Sequence, residues 1–323
     1  MSVKTGIKSF LLSSGAGELF FNKLRILRER YEMTFVSDLS HISKTYRKRF
    51  HRDINLSSPE TLCEKLQWLK LFYRDSVMEK CSDKYEIHQY LDSIGMGYLG
   101  NEVLGVYDTA DEIDFESLPD KFAAKATHGS GWNLICTDKS LLNIKQAVKT
   151  MNTWLKLDTF VFGREWNYKN IKPRIVVEKF LDYTPLYDYK FMCFNGVPKY
   201  VQLNNDLDGK HYVDFYDIEG WTHLPITYMG FERSSRDIEK PKQLAEMIEL
   251  ASKLSKRFPF VRVDFYNFND TVILGELTFF PSSGLRPIIP ENYEYDEKFG
   301  ELLSLPDPNF NLDLLEQIRK QGS

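Results

Sequence analysis

Apolar positions recur along the chain in two rhythms. Leu62, Leu66, Leu69 and Phe72 fall at helical spacing behind Asn55-Leu56-Ser57-Ser58-Pro59. There Ser58 suits the cap, Pro59 the first helical position and Glu60 the positive end of the helix dipole. A second helix is predicted over roughly Ser82–Ser93, stopping at Gly95. A third spans 140–157 on the stripe Leu141, Ile144, Val148, Met151 and Leu155, and a fourth about 239–257. Strands are predicted near 173–181, 188–194, 198–204 and 211–217, and residues 121–137 read as strand, glycine-rich loop, strand. Phe260–Phe265 and Val272–Leu277 flank Asn267-Phe268-Asn269-Asp270, a hairpin turn. Helices and strands alternate without a βαβ rhythm, so the fold class is α+β.

Length changes that picture little: 323 residues suit about two domains or one subdivided domain. Charge changes it more. The net charge of −4 argues against nucleic-acid binding by the whole molecule. Yet residues 1–55, which read as helical, carry Lys23, Arg25, Arg28, Arg30, Lys44, Arg47, Lys48, Arg49 and Arg52. This is either a solvated helix face or a patch for an anionic polymer or phospholipid surface. Cys63, Cys81, Cys136 and Cys193 have no zinc spacing and suit reduced thiols. Glu18 and the basic stretch after it argue against export, and no apolar run approaches the ~20 residues of a membrane span. A cytoplasmic, at most membrane-peripheral, location is expected.

The hairpin carries the first candidate chemistry. Asp264 and Glu276 each interrupt an apolar strand, and lone buried carboxylates are costly unless paired or metal-bound. Two readings stand: the acids pair with lysine or arginine, or they share a hard cation such as Mg²⁺ carrying phosphates. Arg262, two residues before Asp264, shares its face of the strand.

A second candidate is Lys121-Phe-Ala-Ala-Lys125-Ala-Thr-His128-Gly129-Ser130-Gly131-Trp-Asn133. A lysine near a strand end before two glycines suits a phosphate, although the Walker spacing is missing and an ordinary hairpin loop would read the same. His128 is a general base, a phosphate donor or a surface residue. Residues 174–181 form a buried strand ending in Glu178 and Lys179, whose exit offers backbone groups to a ligand. Asp188 and Lys190 share one strand face, either for sugar hydroxyls and phosphate or as an ion pair. Nucleophile-elbow, Ser/His/Asp and dinucleotide-binding patterns are absent from the sequence, which disfavours hydrolases and dehydrogenases.

In order and spacing these stretches resemble the TupA-like branch of the ATP-grasp superfamily, found in bacterial surface-polysaccharide gene clusters. The matching stretches are PETLCEKLQWLKLF (59–72), CSDKYEIHQYL (81–91), LPDKFAAKATHGSGWNLIC (118–136), NIKPRIVVEKFLD (170–182), DYKFMCFNGVPKY (188–200) and FPFVRVDFYNFNDTVILGELTFFPSSG (258–284). The resemblance implies two α+β lobes closing on ATP. By position, Lys84 and Lys125 would contact phosphate, with His128, Gly129, Ser130 and Gly131 as the phosphate loop. Glu178, Lys179, Phe180 and Leu181 would grip adenine, Asp188 the ribose, and Lys190 a phosphate. Asp264 and Glu276 would hold Mg²⁺, with Thr278 standing where many members place asparagine. Arg262 would act in catalysis alongside Lys125 and His128.

The implied chemistry is ATP-dependent joining of a carboxylate to an amine through an acylphosphate. The expected partners are a uronic-acid or glutamyl carboxylate, an amino acid or amino sugar, and a lipid-linked or anionic polysaccharide in peripheral contact. A glycosyltransferase, for which the chain lacks a DxD motif, a sugar or metabolite kinase, and a non-catalytic ATP-binding protein are the alternatives. The expected organisation is a helical region 1–80, an ATP-grasp domain 81–305 with lobes of about 118–180 and 181–305, and a C-terminal tail 306–323.

Overall fold

The computed structural model describes Leu27 and residues 31–181, 187–207, 210–268, 271–287 and 294–321. Helix α1 (Asp38–Phe50) starts at Ser37, whose side chain accepts from the Ser40 N–H at 3.2 Å. It buries Ile42, Tyr46 and Phe50, four residues apart on one face, and leaves its basic residues outward. Helix α2 is Leu62–Phe72. The expected start at Ser58-Pro59 is corrected: Thr61 is the cap and forms a reciprocal capping box with Glu64. The stripe Leu62, Leu66, Leu69 and Phe72 is buried as expected, but so are Glu64, Gln67 and Lys70. This helix is enclosed on every side.

The helix expected over roughly 82–93 begins later, as α4 (Glu86–Ser93), and a separate helix α3 (Ser76–Ser82) precedes it. Asp83 breaks them apart, because its Oδ1 accepts from the N–H groups of Tyr85 at 2.8 Å and Glu86 at 3.1 Å. Helix α5 (Ile144–Trp154) and helix α6 (Leu244–Ser255) lie inside the predicted spans. Helices α7 (Glu294–Leu302) and α8 (Leu312–Gln321) follow, and Leu315 of α8 joins the main core.

Two antiparallel sheets result. The smaller has the order β1-β4-β2-β3, from β1 (Val103–Tyr107), β2 (Phe122–Ala126), β3 (Asn133–Cys136) and β4 (Ile175–Lys179). The larger has the order β7-β6-β5-β8-β9, from β5 (Asp188–Phe194), β6 (Val197–Leu207), β7 (Lys210–Asp217), β8 (Phe260–Phe268) and β9 (Thr271–Thr278). The hairpin strands reach further than expected, to Phe268 and from Thr271; Asn269 and Asp270 of the predicted turn lie outside the described residues.

Packing follows the sheets. Phe122, Ala124, Ile175 and Val177 of the small sheet meet Ala147 and Met151 of α5 in one core. The large sheet buries Phe191, Val263 and Phe265 against Met247, Leu250 and Leu254 of α6, and the same core takes in α2, α3 and α4. The site faces the opposite side of that sheet from α6.

One irregularity shapes β9. Asp264 pairs with Glu276 and Phe265 with Leu274, so Gly275 is an extra residue in a β-bulge. A Cβ there would stand 2.9 Å from the Tyr266 ring and 3.2 Å from the Asp264 carbonyl, which requires glycine. The bulge changes the phase of alternation, which is why Leu274 and Leu277 are both buried although three apart.

Candidate active site

Between the sheets lies a cleft of about 580 Å³ lined from both lobes. That volume falls within the range of small-ligand sites. Its floor is the large sheet. Period-2 alternation puts Asp188 and Lys190 of β5 on the same face as Arg262 and Asp264 of β8. Lys190 pairs in register with Asp264, and Asp264 with Glu276.

These side chains form one charged network. Arg262 grips Asp264 bidentately, Nε to Oδ1 at 2.7 Å and Nη2 to Oδ2 at 2.7 Å. Lys190 Nζ donates to Asp264 Oδ2 at 2.6 Å and pairs with Asp188 Oδ2 at 2.5 Å. Glu276 Oε1 accepts from Arg262 Nη2 at 3.4 Å and from the Thr278 hydroxyl at 3.0 Å. So the pairing of hairpin acids with lysine and arginine is realised. Burial pushes the Glu276 carboxyl up, but Lys190, Arg262 and Lys84 outweigh it and hold it at about 2. Burial pushes Asp188 up to about 6 against the pull of Lys190. Asp188 Oδ1 is buried without a hydrogen-bond partner, an acceptor facing the cleft.

The donor set suits a hard cation. Glu276 is 41% exposed, and its Oε2 has no partner among the described residues. Asp264 faces the same cleft. Among the described residues no group of three or more histidine, cysteine or carboxylate ligands could hold a metal. A cation here would take two carboxylates from the protein and the rest from phosphates and water, the usual Mg²⁺ arrangement. Thr278 does not line the cleft; its hydroxyl accepts from Arg262 Nη2 at 3.2 Å and orients Glu276.

The other lobe supplies the roof. Lys125 Nζ on β2 meets Glu178 Oε2 on β4 at 2.7 Å, beside Ser130 and Gly131. Lys84 is placed by the break between α3 and α4. Its N–H donates to the Thr127 carbonyl at 3.3 Å and its Nζ to the Gly129 carbonyl. Burial lowers the Lys84 pKa, with Glu276 opposing. Arg174 fixes this junction, donating from Nη2 to Asp83 Oδ2 at 2.9 Å and Glu86 Oε1 at 3.1 Å.

Three expectations need correction. The His128 ring points away from the cleft, its Nε2 lying 3.2 Å from the Trp154 and Leu157 carbonyls behind the loop. Gly129 turns its carbonyl to Lys84 and has no room for a Cβ, which would meet Thr159 and Trp132 at 2.4 Å; its part is close packing. The Lys179 N–H is spent on the Glu102 carbonyl at 2.9 Å, and its own carbonyl accepts from Asn101 Nδ2 at 2.9 Å. Phe180 and Leu181 line the cleft with no backbone partner among the described residues. Sequence reasoning missed Asn101 and Tyr168 in the lining, and strand β1, which starts two residues after Asn101. The short apolar run Val-Leu-Gly-Val-Tyr is the signal available for β1.

Residues 64–304 match the family described as TupA-like ATPgrasp. No curated protein matches the chain. Among solved structures, D-alanine–D-alanine ligase from Bacillus anthracis is similar at 15% identity, with 75% of this chain and 70% of that one covered, at a TM-score of 0.42. L-amino acid ligase from Bacillus licheniformis is similar at 14% identity over 78% of this chain and 57% of that one, at a TM-score of 0.44. The family match spans both lobes and every charged group of the cleft named above, and with it the chain takes its place in the TupA-like ATPgrasp family.

Proposed function

We propose that this cleft binds Mg-ATP and joins a carboxylic acid to an amine through an acylphosphate. The observation that carries the reading is the opposed pair Asp264 and Glu276, which meets lysines from both lobes across one cleft. We take residues 81–305 as the catalytic unit, with the helices before it as its buttress.

A carboxylate is a poor electrophile, so the acid must first be activated. Its oxygen attacks the γ-phosphorus of ATP, the bond to the β-phosphate oxygen breaks, and ADP leaves. Lys84, Lys125 and Lys190 neutralise charge on the transferring group. Asp264 and Glu276 would hold Mg²⁺, which supplies Lewis-acid neutralisation of the phosphates when bound. The orphan Asp188 Oδ1 accepts from a ribose hydroxyl, and the peptide groups of Phe180 and Leu181, without a backbone partner among the described residues, meet the adenine edge. The amine, as its free base, then attacks the acyl carbon, the bond from that carbon to the phosphate oxygen breaks, and phosphate leaves with the proton that the amine gives up. Arg262 stabilises the oxyanion formed on the way. Resemblance to proteins of surface-polysaccharide clusters suggests a uronic or glutamyl acid and an amino acid or amino sugar. The need for ATP suits the cytoplasm.

Asp188 should set the acid limb of nucleotide use. Its pKa of about 6 lies above the ordinary value, so ionisation above pH 6 costs stability and protonation below it relieves that cost. The ionised form is the better ribose acceptor. Km for ATP is therefore expected to rise below pH 6, and Asp188→Asn to flatten that rise; an unchanged limb in the variant would count against the assignment.

The reading as a whole is tested by ADP release from Mg-ATP against a matrix of acids and amines. ADP formed only with both, matched by a product mass equal to acid plus amine minus water, supports the ligase. ADP formed with one acceptor alone, leaving a stable phosphorylated product, would make the protein a kinase.

A further inference from the structure

Arg262 separates two spaces. The large cleft lies on the Asp264 and Glu276 side, and a smaller recess lies on the other, lined by Arg262, Arg286, Gln202 and Tyr228 among polar groups. No carboxylate lines the recess among the described residues. Inside it the charge of Arg262 is already answered by Asp264 and Glu276. At its mouth the charge is not. Arg286 is exposed and forms no ion pair or hydrogen bond with a described residue.

A second arginine arrives there from the N-terminal helix. Arg49 of α1 is exposed and donates from Nε to the carbonyl of Leu285, the neighbour of Arg286, at 3.1 Å. Arg49 has no acidic partner among the described residues either, whereas Arg47 and Arg52 are paired with Asp53 and Glu64. Thus part of the basic N-terminal region, unexplained by the ligase chemistry, comes to the rim of this recess.

The wall beside Arg286 is built to hold its shape. Ser282, Ser283 and Gly284 are all in the left-handed region, at φ 47°, 58° and 59°. For the two serines that conformation is strained and persists because the surroundings impose it. The buried Lys70 Nζ donates to the Ser283 carbonyl, the Ser283 hydroxyl and the Gly163 carbonyl, each at 2.7 Å. Gln67 Nε2 donates to the carbonyls of Ser283 at 2.8 Å and Gly284 at 2.9 Å. From the other side the Tyr228 hydroxyl donates to Ser282 Oγ at 2.8 Å. A rigid wall with two guanidinium groups at its lip, neither with an acidic partner among the described residues, suits an oxyanion.

We propose that Arg286 and Arg49 form a subsite for a second oxyanion on the acid substrate. That acid is then multiply charged, carrying a phosphate or a further carboxylate besides the carboxylate that is activated at Arg262. The inference rests on the ligase reading for the identity of the ligand, but the anion site is testable without turnover.

The experiment follows the arginine Nε–H signals of the ADP-loaded protein by NMR, with Arg286→Lys and Arg49→Lys assigning them. Inorganic phosphate is titrated in one arm and tricarballylate in the other, which separates a phosphate preference from a carboxylate one. Binding in either arm is expected to move both signals, and Arg49→Gln with Arg286→Gln to weaken it about tenfold or more, at unchanged ADP affinity. The single Arg286→Gln variant, at an exposed position with no partner among the described residues, guards against a folding defect and should weaken binding in the same direction. Signals that neither anion moves, or equal affinity in the double variant, would overturn the subsite. If ADP does not bind the wild-type protein, the ligase reading fails separately, and the same titrations on the free protein still decide the subsite.

Discussion

Asp264→Ala should lose both turnover and stability, and the loss of stability is the larger surprise for a residue assigned to metal binding. Asp264 is 1% exposed, and its carboxylate accepts two bonds from Arg262 and one from Lys190. Removing it leaves two largely buried cations with Glu276 and Asp188 to answer them among the described residues. Breaking a buried ion network in this way costs about 3–5 kcal/mol. The urea midpoint should fall accordingly with little change in slope, and ADP formation should be absent even where the variant is folded. A midpoint equal to that of the wild type would show that the network does not compensate charge as described.

Glu276→Gln should separate the two effects. The same network holds the Glu276 carboxyl at about 2, so it is ionised throughout any working pH range. Its stabilising contribution is present above the ordinary carboxylate value and is lost only as pH falls towards 2. The side chain is 41% exposed, so solvent screens that contribution, and the glutamine variant should lose no more than about 1 kcal/mol. Activity is another matter. The variant keeps the shape of the site but removes one of the two carboxylates proposed to hold the metal that faces the phosphates. A fall in kcat on the order of 10²–10³ is expected, measured as ADP release at saturating Mg-ATP. Turnover within a factor of about three of wild type would remove Glu276 from the metal assignment.

The parts of this site that were legible in the sequence are those where a residue contradicts its own neighbourhood. Asp264 and Glu276 stand out because each is a charge in an apolar strand, and alternation alone places Arg262 beside Asp264. What alternation cannot supply is a partner in another strand. Lys125 and Glu178 are 53 residues apart, and Lys190 and Asp264 74. Loop side chains were unreadable for a related reason. His128 sits in a glycine-rich loop that suits a ligand, yet two carbonyls at the end of α5 draw its ring inward. Lys70 was invisible because polar positions on an amphipathic pattern are read as solvent-facing, whereas α2 is covered on all sides by elements distant in sequence. Strand β1 was missed because it is short and only half-buried along its length.

The bulge at Gly275 makes the site depend on a count as well as on identities. A strand is read two residues at a time, and the extra residue acts as a frame marker between the turn and the acid. Pair it as an ordinary strand residue instead, and every residue on one side of the mark changes face relative to the other. Held in its present pairing towards the turn, such a strand would carry Glu276 into the apolar layer against α6 and turn Leu277 out to the cleft. The amino-acid composition and strand content would hardly differ, yet the carboxylate would no longer meet Asp264. In this family fold a single backbone unit with no side chain therefore functions as punctuation, and the charged residues after it have meaning only in the frame it sets.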